Sequence, residues 1–376
     1  MRRLKTKLGW GLAIATAITL TACGSDPVDE NVLEDIDPPQ QIEFVDADGE
    51  LVVEVDGEMI GDPMTDLDGD GTADEGEDME EKGGPVEETV MRELYLMDRN
   101  GYVAPQTINI PSGENEVEKT IEYLVKGGPV TDVLPNGFQA TLPSGTELLG
   151  VEVAAGVVTL DFSEQFEDYH PEQELQILQS LTWTVTQLDD VDRVKLKVNG
   201  EALDVMPQNG TPIANGYTRS HGINLEMSDF ADLSNTKSVI VYFLNEVDNQ
   251  TYYVPVTRRV PQQDDVYQAV VGELLKGPNM MSPLLSDFDR HVELLDQPVL
   301  SNGTLTLNFS EQLLNKMEGE AVSNDVINML VLSLTEQQEV QSVSLQVDSN
   351  DSILVTTGET LTEPVARPNT VNTGEY

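Results

Sequence analysis

Five acidic side chains and one backbone carbonyl stand at positions 1, 3, 5, 7, 9 and 12 of a twelve-residue loop between residues 66 and 77. In chain order they are Asp66, Asp68, Asp70, Thr72, Asp74 and Glu77. Gly71 at position 6 allows the sharp turn that such a loop needs, and Thr72 contributes its carbonyl oxygen. Ca²⁺ prefers hard oxygen ligands, and EF-hand loops supply them at these six positions. The spacing therefore predicts a calcium site at these six residues.

This order satisfies the EF-hand loop pattern at every ligand position. The flanking sequences weaken the prediction, because Gly61-Asp62-Pro63 before the loop and Gly83-Gly84-Pro85 after it do not favour helices. A loop without flanking helices is not pre-organised, so the expected calcium affinity is weak. The alternative is a solvated acidic linker that matches the pattern through its composition alone. Both interpretations stay open.

Cys23 is the single cysteine of the chain, and it follows a basic segment at residues 2–7 and an apolar stretch at residues 8–20. This stretch is too short to cross a bilayer and is typical of an export signal. The ending Leu20-Thr21-Ala22-Cys23 resembles the lipobox of bacterial lipoproteins. That resemblance implies removal of residues 1–22 as a signal peptide and attachment of diacylglycerol to Cys23, with a fatty acid such as palmitate on the new amino terminus.

Two or more acyl chains anchor a protein stably where one does not. We therefore expect a lipid-anchored protein on the extracytoplasmic face of the cell membrane. The alternative is an ordinary signal peptide followed by an incidental cysteine.

Acidic residues outnumber basic ones in this chain of 376 residues, by 68 Asp and Glu to 20 Lys and Arg. The formal net charge of −48 excludes a nucleic-acid-binding surface, because a polyanion gains no affinity by releasing counterions from phosphates. Half of the charge lies between Asp26 and Glu88, which hold 25 acidic residues and one lysine. Such a segment cannot bury enough apolar surface to offset its ordering entropy. We therefore predict a disordered acidic tether over residues 23–90.

The rest of the chain contains two copies of one unit, separated by a steady offset of 147 to 150 residues. The matching segments are 94–98 with 241–245, 124–129 with 274–278, 156–165 with 303–312, and 194–198 with 343–347. Gly127 and Gly277, each followed shortly by a proline, are predicted to end the first helix of each copy.

Each copy repeats the same order of predicted elements: two strands, an amphipathic helix, two further strands, a second helix and a closing strand. The pattern predicts an α+β fold of two small tandem sandwiches, each with two helices on one face of a mostly antiparallel sheet. We expect each copy, at 91–203 and 238–355, to fold around its own core. Residues 204–237 are predicted to be a linker, and residues 356–376 a disordered tail.

These landmarks resemble the GerM domain, a sporulation and spore-germination domain of endospore-forming bacteria. The resemblance rests on the opening strand at 94–96, the helix end at 124–129 and the junction Thr159-Leu160-Asp161-Phe162-Ser163-Glu164, each with a counterpart in the second copy. A lipobox followed by two such domains is similar to the architecture of GerM-type lipoproteins.

The resemblance implies a fold similar to the ring-building modules of secretion-type assemblies. It also implies a role in the envelope around the developing spore, with protein partners from the channel complex between mother cell and forespore.

Asp161 and Glu164 are the best candidates for catalysis, as a carboxylate pair for acid–base chemistry on a glycan. A structural role is favoured, because Asn308 replaces Asp161 in the second copy and Ser163 stands where a helix N-cap is wanted. The histidines occupy unrelated positions in the two copies; they are His170, His221 and His291. We therefore predict a non-enzymatic protein with no cofactor beyond the lipid and a weakly bound calcium ion.

Two functions remain in competition. The first is a membrane-anchored interaction and assembly factor in sporulation and spore germination. The second is an extracytoplasmic binding protein for a peptidoglycan fragment or a soluble ligand. Aromatic residues form only 5% of the chain, and ligand pockets usually need convergent aromatic and polar groups, so the sequence favours assembly.

Overall fold

The computed structural model describes residues 88–373, apart from residues 114, 189, 227–234, 263–264 and 315–319. All described residues belong to one compact unit, Glu81–Tyr376.

The first copy opens with a long antiparallel hairpin, followed by a helix, three strands, a second helix and two further strands. The elements are β1 (Thr89–Asp98), β2 (Val103–Pro111), α1 (Glu116–Glu122), β3 (Phe138–Gln139), β4 (Leu148–Ala154), β5 (Val157–Phe162), α2 (Glu174–Val185), β6 (Arg193–Val198) and β7 (Glu201–Ala202).

The second copy follows the same order and ends in three short strands. Its elements are β8 (Thr236–Val247), β9 (Gln250–Pro261), α3 (Val266–Lys276), β10 (Val299–Ser301), β11 (Thr304–Phe309), α4 (Asn324–Leu334), β12 (Ser342–Val347), β13 (Ile353–Leu354), β14 (Thr360–Leu361) and β15 (Val365–Ala366).

Each copy contains a hairpin, β1–β2 or β8–β9, and a separate four-stranded sheet. The sheets have the orders β4-β5-β6-β7 and β10-β11-β12-β15. Their central pairs, β5–β6 and β11–β12, are parallel, whereas the outer pairs are antiparallel. A parallel pair needs a crossover connection, which α2 and α4 provide. The α+β prediction with a mostly antiparallel sheet is confirmed, with the strands of each copy divided between a hairpin and a sheet.

Side chains of α2 and α4 complete the free edge of each hairpin. The backbone N–H of Tyr95 in β1 donates to Thr184 Oγ1 at 2.9 Å, and the hydroxyl of Ser180 donates to the carbonyl of Tyr95. The backbone N–H of Tyr242 in β8 donates to Ser333 Oγ at 2.9 Å. Buried backbone groups must be paired, so these hydroxyls serve the backbone of β1 and β8 at positions where no neighbouring strand is paired.

The first helix of copy one ends earlier than predicted. Gly277 closes α3 with a positive φ of 75°, as expected, but α1 stops at Glu122, before Gly127. The carbonyl of Leu124 accepts the backbone N–H groups of Thr141 and Leu142, at 3.1 and 2.9 Å. This contact with the following segment takes residues 124–126 out of the helix.

A single hydrophobic core joins the two copies and corrects the expectation of two separate cores. Its members include Leu94, Ile121 and Leu196 of the first copy and Val241 and Leu345 of the second. Strands β2 and β9 lie side by side at this junction.

The tail was predicted to be disordered, and that prediction is wrong for the residues described. The predicted linker is docked along its described residues. Ile213 and Tyr217 in the linker are buried, and Glu174 of α2 accepts three backbone N–H groups between residues 208 and 211. In the tail, β15 pairs with β12, and Val371 is buried. Polar residues dominate both segments, but a few well-placed apolar side chains are enough to dock them.

Candidate functional site

The segment that follows each copy binds to the hairpin of the other copy. After copy one, Ile223 N donates to Thr257 Oγ1 of β9 at 2.8 Å, and Thr257 N donates to the carbonyl of Ile223 at 2.9 Å. After copy two, Val371 N donates to Thr107 Oγ1 of β2 at 2.9 Å, and Thr107 N donates to the carbonyl of Val371 at 3.1 Å. Each copy's following segment therefore bonds through its backbone to the other copy's hairpin; these two are called the exchanged segments below.

Two asparagines join β2 to β9 next to these contacts. Each side-chain amide donates to one carbonyl of β2 and one carbonyl of β9, and each side-chain oxygen accepts one backbone N–H. The carbonyl partners are Val103 and Pro255 for Asn224, and Pro105 and Tyr253 for Asn372, all at 2.7–2.9 Å. Both asparagines have positive φ values, 46° and 55°, a conformation that asparagine tolerates better than most residues.

Asp98 forms a third, buried link between the copies. Its Oδ2 accepts hydrogen bonds from the Asn245 side chain at 2.9 Å and from the Tyr252 hydroxyl at 2.8 Å, both in the second copy. Asp98 and Asn245 are equivalent positions of the repeat. The carboxylate accepts where the amide donates, which explains why the two copies differ here.

A cleft of about 560 Å³ opens between the copies, lined by the residues that follow α2 and α4 and by the two exchanged segments. Three arginines and two carboxylates line it: Arg193, Arg219, Arg367, Asp192 and Glu336. The wall therefore carries more positive than negative side chains, although the chain as a whole is strongly acidic.

Arg219 is fixed by the end of α2. Its Nε donates to Thr186 Oγ1 at 2.7 Å, its Nη2 donates to the carbonyl of Trp183 at 3.3 Å, and its guanidinium lies 4.4 Å from the centre of the Trp183 ring. A cation–π contact of this kind stabilises the charge. Trp183 itself is buried against Tyr95, Val103 and Ile223, so it acts in packing.

Arg367 occupies the equivalent place at the end of α4. Its Nη1 donates to the carbonyl of Leu332 at 3.2 Å, and its Nη2 donates to the Tyr242 hydroxyl at 3.2 Å. Burial opposes its charge, but Tyr242 and Glu336 outweigh that effect and raise the pKa of the Arg367 guanidinium above its ordinary value.

Glu336 lies between the two arginines. Its carboxylate is 3.5 Å from Arg219 Nη1 and 3.3 Å from Arg367 Nη1, and it accepts the Tyr242 hydroxyl at 2.9 Å. One carboxylate between two guanidinium groups leaves a net positive charge at this point of the cleft. Arg193 adds a third guanidinium. Its side chain packs closely against Gly216, where an added Cβ atom would lie 2.8 Å from Arg193 Cγ. The arrangement suits an anionic group such as a carboxylate.

The repeat analysis of the sequence missed these arginines, because Arg219 and Arg367 lie in the predicted linker and tail. A short repeated signal was present in both segments. The pattern Arg-x-x-x-Ile-Asn at 219–224 recurs as Arg-x-x-x-Val-Asn at 367–372, with the same offset as the rest of the repeat.

The predicted lipid and calcium sites lie outside the described residues. This applies to Cys23 and to the whole loop at 66–77. Within the described part of the chain, no group of three or more His, Cys, Asp or Glu side chains is arranged to hold a metal ion. The helices there are also too short or too polar to cross a membrane.

The candidate catalytic carboxylate has a structural contact. Asp161 Oδ1 accepts Gly200 N at 2.9 Å, and Asn308 Oδ1 accepts Ser349 N at 2.9 Å in the second copy. Ser163 precedes a short 3₁₀ turn as predicted, but its hydroxyl accepts Glu147 N at 3.0 Å instead of capping that turn. Asp161 and Asn308 therefore fix the backbone next to the ends of β5 and β11.

The histidines make local contacts. His221 stacks on Tyr217 and bonds Thr218, whereas His291 bonds Asp289 two residues away. His170 lies exposed directly before another 3₁₀ turn.

Comparisons with known proteins agree with this duplicated architecture. The family model Germane, described as sporulation and spore germination, matches residues 93–204 and 240–352. The spore germination protein GerM of Bacillus subtilis (strain 168) is 40% identical over 368 residues, which cover 96% of each chain. The solved structure of the tandem GerMN domains of the sporulation protein GerM from Bacillus subtilis is similar to this one with a TM-score of 0.71. It shares 45% sequence identity and covers 76% of this chain and all of its own.

Proposed function

Because the chain belongs to the Germane family of sporulation and spore-germination proteins, we propose that it is a membrane-anchored, non-enzymatic assembly factor in that process. Its place is the extracytoplasmic face of the cell membrane, and its partners are proteins of the channel complex between mother cell and forespore. The anchor is the lipid on Cys23, because the chain's only cysteine stands at the end of a lipobox-like leader.

The observation that carries this proposal is the reciprocal exchange between the two copies. Ile223 and Val371 each bond through their backbone to the other copy's hairpin, and Asn224 and Asn372 join the two hairpins. A tandem built in this way presents its outer surfaces in fixed relative positions. Fixed surfaces suit a protein that places other proteins.

The contacts of the candidate catalytic positions support a non-enzymatic role. Asp161 and Asn308 differ in charge, yet each accepts a backbone N–H at the same place in its copy. Glu174, a buried carboxylate, is occupied by the linker backbone. Side chains at these positions serve to hold the backbone in place, which is a structural role.

A second function is favoured by the cleft between the copies. Arg193, Arg219 and Arg367 suit an anionic group of a cell-wall fragment or a soluble ligand. In that case the protein is an extracytoplasmic binding protein, and the exchanged segments form its ligand site.

The two functions differ in the phenotype of a deletion strain. The assembly role requires normal vegetative growth and a failure in sporulation or germination, restored by the wild-type gene. Vegetative wall defects without a spore phenotype contradict the assembly role and support the binding role.

The anchor has a direct test. We predict that Cys23→Ser releases the protein from the membrane fraction of sporulating cells and abolishes labelling by a fatty-acid analogue, because the thiol is the attachment point. Ser25→Ala, two residues further on, is the matched control and should stay membrane-bound and labelled. A Cys23→Ser protein that remains in the membrane fraction with unchanged labelling contradicts the lipid anchor.

A further inference from the structure

Strand β4 forms an edge of the first copy's sheet and exposes three large apolar side chains. Leu149 is 52% exposed, Val151 39% and Val153 51%. In the described part of the chain, β4 pairs only with β5, so its outer backbone groups face away from the sheet. An apolar edge strand of seven residues is a template for pairing with another chain.

Val151 and Val153 lie on the core side of the sheet. They are the cross-strand partners of Leu160 and Val158, which are fully buried. Paired residues of neighbouring strands share a face, so the apolar surface of the core continues onto β4 without being covered there.

A groove of about 680 Å³ runs along this uncovered face, between β4 and α1. Its apolar wall includes Val117, Leu188 and Val191 in addition to β4. The charged residues that line it, Glu116 and Glu118, are both acidic. Glu116 is paired with Arg92 at 2.7 Å, whereas the Glu118 carboxylate accepts only an amide N–H, from Asn115, among the contacts seen.

The second copy provides an internal comparison for this edge. Val153 pairs with Val158, and Leu300 of β10 pairs with Leu305, so the two edges align with an offset of 147 residues. At that offset Pro298 replaces Val151 and Asp296 replaces Leu149, and β10 is only three residues long. Proline, charge and a short strand are the devices that prevent pairing at a sheet edge.

We propose that β4 accepts an extended segment of a partner protein as an added strand. Alternate apolar side chains of that segment fill the groove, and lysine or arginine residues flank them. This inference rests on the proposed assembly role and identifies the surface that performs it.

The charges of the chain argue for a basic partner rather than a second copy. The groove is lined by Glu116 and Glu118, Glu152 is exposed on β4 itself, and the chain carries a net charge of −48. Pairing β4 with β4 of another molecule would bring two polyanions together, whereas a basic segment is attracted. A seven-residue strand requires about 23 Å of extended partner chain.

A synthetic peptide tests the proposal against the full-length protein in detergent. The probe has valine at alternate positions, threonine between them and lysine at both ends, and its fluorescence anisotropy reports binding. We expect saturable binding that weakens as salt is raised. A peptide with the same composition but consecutive valines, and one with glutamate ends, should bind at least tenfold more weakly.

Two variants of β4 test whether the peptide binds at this strand. Val151→Pro introduces the second copy's residue and should weaken binding at least tenfold, and Leu149→Asp, at an exposed position, should do the same. The matched control is Val299→Asp on β10, 59% exposed, which should bind as wild type. Unchanged melting temperatures show that the variants are folded.

Several results overturn the proposal. These are equal binding by Leu149→Asp and wild type, preference for the glutamate-ended peptide, or dimerisation of the protein through β4 in the absence of peptide. None of these results affects the assembly role, which is tested by the spore phenotype of the deletion strain. Normal sporulation of that strain contradicts the assembly role without changing the peptide result.

Discussion

Glu174 is the buried carboxylate that holds the first exchanged segment. It accepts the Tyr169 hydroxyl at 2.9 Å and the backbone N–H groups of Gln208, Asn209 and Thr211 at 3.1, 2.7 and 2.9 Å. Burial works against its charge, but hydrogen bonds led by those from Thr211 and Asn209 outweigh burial and lower the pKa of Glu174 below its ordinary value of 4.5.

We predict that Glu174→Gln lowers the free energy of unfolding at neutral pH by about 2–3 kcal/mol, because an amide satisfies the converging donors less well than a carboxylate does. A carboxyl whose pKa is lowered by folding stabilises the protein fully above its unfolded pKa. That stabilisation is lost as the pH falls through the lower folded pKa.

Urea unfolding between pH 7 and pH 3 checks both statements. The gap between wild type and Glu174→Gln should be constant down to about pH 4.5 and should shrink below it. Glu172→Gln, at an exposed position in the preceding turn, is the matched control. A gap that does not change with pH contradicts the charged role of Glu174.

At the scale of the element, buried hydroxyls of α2 and α4 pair with backbone groups of β1 and β8 at positions where no neighbouring strand is paired. We predict that Thr184→Val lowers the free energy of unfolding by about 1–3 kcal/mol, because the isosteric side chain leaves the buried N–H of Tyr95 without its acceptor. Denaturant titration measures the effect. Thr159→Val, on the half-buried face of β5, is the control and should change stability far less.

The elements also show what the sequence can predict. Alternating apolar residues predict β5, β6, β11 and β12 well, because each strand faces the core on one side and lies nearer solvent on the other. The early end of α1 was not predictable, since it depends on the contact of Leu124 with residues 141–142.

The docking of the linker and the tail could not be predicted from composition, for a similar reason. Ile223 and Val371 are apolar residues in polar surroundings. Their side chains pack into buried clusters of their own copies, and their backbone groups bond to the hairpin of the other copy. The arginine cleft depends on the same docking. Only the repeated Arg-x-x-x-Ile/Val-Asn signal connects both segments in the sequence.

At the scale of the whole molecule, the two copies are joined through a shared hydrophobic core. The exchanged segments, the asparagine links and Asp98 all cross from one copy to the other, and the hydrophobic core is continuous through the junction. Because the two copies share a core, we expect that neither copy stays folded when the other unfolds.

We therefore predict that Leu345→Asp in β12 of the second copy also unfolds the first copy. A buried unpaired carboxylate costs about 3–5 kcal/mol, and the shared core transmits that loss. The emission of Trp183 reports on the first copy, because the other tryptophan, Trp10, lies in the leader. Its unfolding midpoint in urea should fall with that of the second copy, whereas Leu354→Asp, at a 40% exposed position, should leave it nearly unchanged. A Trp183 transition that keeps its wild-type midpoint in Leu345→Asp would show that the copies are independent despite their exchanged segments.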